Sequence, residues 1–217
     1  MRCPLKKAVA SALHAATPSA AHKMANKKKR PGLVHVYTGN GKGKTTAALG
    51  LALRAIGHGY SAYMIQFLKG GRHIGELLAS EDKIKNLTIK QFGKICPYSE
   101  EMMNGAIECG NCKDCFLSRE EEALKAKEAL EFARKTIKSK RYGLVILDEI
   151  NNTVDKKFLQ VEDVIKLIKE KPKEVELVLT GRNAPKEFIT LADYATEMKE
   201  VKHPFNKGIR VRCGIDY

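Results

Sequence analysis

Hydrophobic and polar positions alternate along this chain in two rhythms. Short apolar runs at Leu33–Tyr37, Ser61–Phe67, Leu87–Phe92, Gly143–Leu147, Val175–Leu179 and Ile209–Cys213 read as strands. Leu144-Val145-Ile146-Leu147 is apolar throughout, as a strand covered on both faces must be. Helical spacing fills the intervals. The longest such stretch covers about Ser118–Lys140, with Ala123, Ala126, Leu130, Ala133 and Ile137 on one stripe. Ser118 and Glu121 form a capping-box pair at its start. Shorter helices are predicted around Val161–Lys169 and Pro185–Leu191. Strand and helix in alternation from Leu33 onward predict an α/β fold of three layers, a mostly parallel sheet flanked by helices. No apolar run approaches the ~20 residues of a membrane span, so no membrane partner is expected.

Composition changes the picture mainly at one end. The 217 residues suit one globular domain, and the net charge is +14. Residues 1–30 hold eight Lys or Arg and no Asp or Glu, leaving 31 basic and 25 acidic groups in the rest. That modest excess fits an anionic small-molecule substrate and does not call for nucleic acid. The Ala-rich, basic residues 1–30, broken by Pro4 and Pro18, read as a disordered extension, with the functional domain at 31–217. A start at Met24 and an organelle-targeting role are the other readings of this stretch. Lys27–Arg30 reads as a solvated run, and the protein is expected in the cytoplasm.

The chemistry begins at Thr38-Gly39-Asn40-Gly41-Lys42-Gly43-Lys44-Thr45-Thr46, between the first strand and the helix-like run Ala47–Arg54. Strand, glycine-rich turn and helix N-terminus make a phosphate cradle, in which backbone N–H groups and the helix dipole converge on a polyanion. Lys44 is placed to reach the terminal phosphates and the Thr45 hydroxyl to ligate Mg²⁺. The usual pattern has a glycine where this chain has Thr38. Asp148 and Glu149 follow the apolar strand and so belong at the carboxyl edge of the sheet, where carboxylates hold Mg²⁺ directly or through water. Arg182, in Thr180-Gly181-Arg182 after another strand, enters the same crevice as a phosphate-neutralising guanidinium.

Together these residues resemble the P-loop class of corrinoid adenosyltransferases. The matching blocks are Tyr37–Ala48, Arg54–Gly59, Gln66-Phe67-Leu68-Lys69-Gly70, Leu147-Asp148-Glu149, Thr180-Gly181-Arg182, Ala192-Asp193, Lys202-His203-Pro204-Phe205 and Gly214-Ile215-Asp216-Tyr217. The resemblance implies transfer of the 5′-deoxyadenosyl group of ATP to Co(I) of a corrinoid (cob(I)alamin or cobinamide), with release of triphosphate. It implies that Gly39, Asn40, Gly41, Lys42, Gly43, Lys44, Thr45 and Thr46 grip the triphosphate, and that Thr45 and Glu149 hold Mg²⁺ or Mn²⁺. Arg182 would contact phosphate, and Arg54 matches a further arginine near the nucleotide. A homodimer, and a reductant or reductase for Co(II), are implied as well. No general base is expected, because Co(I) is a nucleophile without a proton to lose. Lys44 and Arg182 are the residues expected to stabilise the departing triphosphate.

Two departures stand out. Members of the family place a Phe-x-Trp element against the corrinoid, and this chain has no Trp. Phe92, Tyr98 and Phe116 are the aromatic residues near that position, and ordinary core packing is the plainer reading of each. The second departure is Cys109-x-x-Cys112-x-x-Cys115, with Cys96 upstream, inside an insertion at about 93–117. Thiolates so spaced chelate Zn²⁺ or an iron–sulfur cluster, and reduced thiols in a loop are the alternative. A metal there would act as a structural clip or as an electron entry for Co(II). A nucleoside or nucleotide kinase with a zinc loop is the rival function, with ADP rather than triphosphate as product.

Overall fold

A computed structural model describes residues 30–110, 112 and 114–217. Cys3 and the basic stretch before Arg30 lie outside the described residues. Six strands form one sheet in the order β3-β2-β4-β5-β1-β6, every pair parallel. In chain order they are β1 (Val34–Thr38), β2 (Ala62–Phe67), β3 (Leu87–Phe92), β4 (Leu144–Asp148), β5 (Glu176–Thr180) and β6 (Tyr194–Glu197). The helices are α1 (Lys44–Gly57), α2 (Gly75–Asp82), α3 (Ser99–Met103), α4 (Arg119–Lys138), α5 (Ile150–Asp155), α6 (Val161–Glu170) and α7 (Lys186–Leu191). The three-layer α/β arrangement expected from the alternation is the one observed.

Burial shows why the strands are apolar on both faces. Val145 and Leu147 of β4 pack with Val36, Ile65 and Leu179 under α4 and α6. Leu144 and Ile146 point the other way, against Ala48 and Ala52 of α1. The small alanines let α1 lie close across β4 and β5. α4 starts at the predicted capping box, with Ser118 accepting from the Glu121 N–H and Glu121 accepting from the Ser118 N–H. Its buried stripe includes Ala126, Leu130, Ala133 and Ile137, together with Ala129.

One predicted strand is absent. Ile209–Cys213 alternates like a strand but pairs with no neighbour, and its backbone bonds are local, Ile209 N–H to Pro204 O and Arg212 N–H to Asp216. The sixth strand is instead Tyr194–Glu197, added to the edge of β1 and exposed along its length. Its four mixed residues carry no clear period, so only the free edge of β1 makes it a strand. Because all strands run parallel, Thr38, Phe67, Asp148 and Thr180 end on the same edge, where a crevice opens.

Candidate nucleotide site

The loop between β1 and α1 is shaped by its glycines. Gly39 has φ 96° and a Cβ there would lie 2.5 Å from Met198 O; Gly43, at φ 115°, caps α1 in the left-handed region. Thr38, where the usual pattern has glycine, is still in extended β1, so a side chain costs nothing there. Its hydroxyl accepts from the Ala184 N–H at 3.1 Å. Gly41 N–H donates to Met198 O at 2.6 Å, tying the loop to the segment after β6. Lys44 Nζ donates to Gly39 O and Gly41 O, both at 2.7 Å, and so lies along the cradle. Burial pushes the Lys44 ammonium down, with Glu149 pulling the other way.

Asp148 is the fully buried centre of this edge. Its Oδ1 accepts from Thr45 Oγ1 at 2.8 Å and Thr180 Oγ1 at 2.7 Å; its Oδ2 accepts from Lys69 Nζ at 2.8 Å and Gln66 Nε2 at 3.3 Å. Burial alone would raise this carboxyl, but Lys69 and the hydrogen bonds outweigh it and hold it below the usual range. Lys69 is raised in turn: burial opposes its charge, and Asp148 overcomes that. Glu149 sits at φ 66°, where β4 turns into α5. Burial, reinforced by the charge of Asp148, pushes its carboxyl up. The Thr45 hydroxyl spends its proton on Asp148, which leaves its oxygen lone pairs for a cation. Thr45 and Glu149 thus form an all-oxygen donor pair suited to a hard divalent ion.

These groups line a cleft of about 570 Å³, with residues 40–46, Lys69, Glu149 and Arg182 on one wall. The cleft is lined as well by a C-terminal strap that follows β6 and contributes residues from His203 to Tyr217, among them Phe205, Ile209, Val211, Arg212, Ile215 and Tyr217. Lys42 bridges the two, meeting Asp216 at 3.0 Å and Ile215 O at 3.1 Å. Lys42, then Arg212, hold Asp216 down at about 2. Tyr217 packs edge-on against the buried ring of His73 at 5.5 Å, and its hydroxyl accepts from the Cys109 N–H.

The structure therefore gathers residues 40–46, Asp148, Glu149 and Arg182 at one crevice. Arg54 stands apart: it is exposed in the last turn of α1, ~15 Å along the helix axis from Lys44, and does not line the cleft. Lys69 and the strap carry no role in the sequence reading, although both lie in blocks of the family resemblance. Lys69 was legible only as a cation after a strand, a signal shared with many turns. Of the three candidate aromatics, Phe92 packs in the core against Phe132 at 5.5 Å. Tyr98 and Phe116 are exposed, which corrects core packing for those two, and none of the three lines the cleft. Among the described residues the rings that do line it are those of His203, Phe205 and Tyr217.

Cys96, Cys109 and Cys112 are half-buried free thiols, and Cys115 and Cys213 are exposed. Among the described residues no three or more His, Cys, Asp or Glu side chains stand ready-made as a metal cage.

Comparison with known proteins agrees with this geometry. The family model described as ATP:corrinoid adenosyltransferase BtuR/CobO/CobP matches residues 30–217. A corrinoid adenosyltransferase of a Sinorhizobium species is 36% identical over 195 residues, which are 89% of this chain and 84% of that protein. The corrinoid adenosyltransferase of Escherichia coli K12 is 32% identical over 90% of both chains. Corrinoid adenosyltransferase CobA of Salmonella typhimurium is 30% identical over 90% of both. These findings lend no support to the kinase alternative.

Proposed function

The chain belongs to the ATP:corrinoid adenosyltransferase family, and on that premise we propose how its cleft works. The enzyme is a transferase that moves the 5′-deoxyadenosyl group of ATP to Co(I) of a corrinoid. The cobalt lone pair forms a bond to C5′, the C5′–O bond breaks, and triphosphate leaves with the electron pair. No proton is exchanged at the reacting atoms, so the protein's work is alignment and charge stabilisation.

In this proposal the loop 39–46 wraps the triphosphate with backbone N–H groups, while Lys44 and Arg182 neutralise the charge that grows on the leaving group. Lys44 must then give up the carbonyls of Gly39 and Gly41, and its burial-weakened charge favours an anionic partner. Thr45 and Glu149 would hold Mg²⁺, which screens phosphate charge when bound. Asp148 would act behind them, because its oxygens are committed to Thr45, Thr180, Lys69 and Gln66. The apolar strap residues, Phe205 above all, would flank the corrinoid ring, a large flat body whose faces match exposed hydrocarbon. A homodimer, a cytoplasmic location and a separate reductase for Co(II) complete the proposal.

The observation that carries this reading is the single crevice that joins a phosphate cradle to an apolar wall. The test is an anaerobic assay with ATP, Mg²⁺ and chemically reduced cob(I)alamin, following loss of Co(I) absorbance and the phosphate product. Adenosylcobalamin with triphosphate, lost in Lys44→Ala, is expected. Turnover that survives Lys44→Ala would overturn the assigned role of the cradle.

A further inference from the structure

The strap that lines the cleft has no core of its own. Every residue from Pro204 to Ile215 is exposed, and its regular structure is one 3₁₀ turn, Pro204–Lys207. A stretch so bare keeps its place through ties to firmer parts of the molecule. Three consecutive residues of the phosphate loop supply such ties at both ends. Just before the strap, Gly41 N–H donates to Met198 O at 2.6 Å, and Asn40 Oδ1 accepts from the Glu200 N–H at 3.1 Å. Glu200 in turn accepts from Asn206 Nδ2 at 2.7 Å, which secures the turn that carries Phe205. At the far end, Lys42 Nζ meets Ile215 O at 3.1 Å and Asp216 Oδ1 at 3.0 Å. The other oxygen of Asp216 accepts from the Arg212 N–H and Nε, so the grip extends back along the strap.

The two lysines of the loop therefore serve different walls. Lys44 lies inward along the cradle, on Gly39 O and Gly41 O. Lys42 has two of an ammonium's three donors on the strap. Between its fastenings the strap hangs as one loop, and Phe205, Ile209 and Val211 ride on it. A wall held in place beforehand spares a ligand the cost of ordering it, and that saving appears as affinity.

We propose that the Lys42 side chain is a positioning residue for the corrinoid, fastening the far end of the strap to the phosphate loop so that the apolar wall stands ready. Its backbone N–H stays with the cradle, while its ammonium serves the second substrate and keeps Asp216 when ATP is bound. This role rests on the corrinoid reading above.

The test is initial-rate kinetics on the full chain, anaerobic, with cob(I)alamin and ATP varied in turn. In Lys42→Met, KM for the corrinoid should rise by up to about fivefold, the most a part-exposed ion pair gives, with KM for ATP and kcat near the parent's. Lys42→Arg, which keeps the charge and the donors, should restore the corrinoid value. Asp216→Asn should raise it too, and the double variant no further than Lys42→Met alone, because both changes remove one tie. A measurement free of chemistry runs beside these: trypsin should cut after Lys207, Arg210 and Arg212 several-fold faster in Lys42→Met, at an unchanged Tm. A raised KM for ATP with the corrinoid value unmoved would hand Lys42 to the triphosphate and overturn the proposal. Multiplying effects in the double variant, or strap cleavage at the parent's rate, would overturn it as well. A parent that leaves cob(I)alamin unchanged overturns the corrinoid reading itself and this role with it; failure confined to the variants overturns the role alone.

Discussion

Behind the cradle wall of the cleft, Asp148, Gln66 and Thr180 are fully buried and Asp148 answers four donors; on the strap wall, Phe205 is 74% exposed and Ile215 60%. The cradle hangs from the ends of β1, β4 and β5, so its groups are held by the same sheet that makes the core. The strap contains one 3₁₀ turn, Pro204–Lys207, and is tied down by side chains: Lys42 to Asp216, Tyr217 to His73, Asn40 to Glu200 N–H. Triphosphate demands fixed dipoles that need no reorganisation, which a sheet edge supplies. A flat, largely apolar partner asks for surface, which an irregular strap provides. Changes at the buried Asp148 hub behind the first wall should lower activity and stability together, whereas changes on the second wall should move affinity alone.

The sharpest way to break this contrast is Asp148→Asn. It takes the nearest carboxylate from Lys69, which is part-exposed at the cleft and keeps Glu76 at 3.9 Å, so the cost should fall below the about 3–5 kcal/mol of breaking a fully buried pair. Denaturant midpoint and kcat should fall together; a stable, inactive protein would separate what we join. Lys44→Ala should lower kcat roughly 10²–10³-fold, as loss of one preorganised donor to a leaving group does, with a much smaller change in Tm.

Glu149→Gln is expected to move activity and stability in opposite directions. A carboxyl whose folded value is raised is disfavoured in its ionised form by folding. That penalty is absent below the ordinary carboxyl range and complete above the raised value. At neutral pH the glutamine variant should therefore melt higher than the parent while losing Mg²⁺-dependent turnover. In the parent, Mg²⁺ affinity should fall as pH drops through the raised Glu149 value, and the variant should lack that acid limb.

On the strap, Phe205→Ala should raise KM for the corrinoid about tenfold, near 1.4 kcal/mol, with KM for ATP and Tm unchanged. A parallel loss in both KM values would show that the ring shapes the whole cleft. Asp216→Asn is expected to do least. Its pair with Lys42 lies at the rim of the cleft, so Tm should change little, and the freed Lys42 charge should make ATP bind more tightly at low salt and with a steeper salt dependence.

Much of the cradle was legible before any fold was known, since a phosphate loop is local: Gly39–Thr46 lie within one turn between one strand and one helix. The four-residue apolar run of β4 announced a doubly covered strand, and the Asp-Glu pair after it could only face the sheet edge. The capping box at Ser118 likewise needs four residues and nothing else. Lys69 was not legible as a partner of Asp148, because that pairing joins residues 79 apart through β2 lying beside β4. β6 escaped because its strand character belongs to the edge of β1. The run Ile209–Cys213 misled because alternation signals a strand only when a sheet edge is available, and β6 already occupies the one beside β1.

The sequence by itself determined the α/β class, the phosphate loop, the carboxylates at the end of β4 and the cysteine spacing. Each of these is written in neighbouring residues whose backbone or period forces one outcome. Tertiary structure decided that Asp148 is a buried hub, that Lys69 neutralises it, that Arg54 stands away from the cleft and that the strap from His203 to Tyr217 lines its second wall. Those facts depend on which distant segments meet, and parallel strand order, not local propensity, sets that meeting.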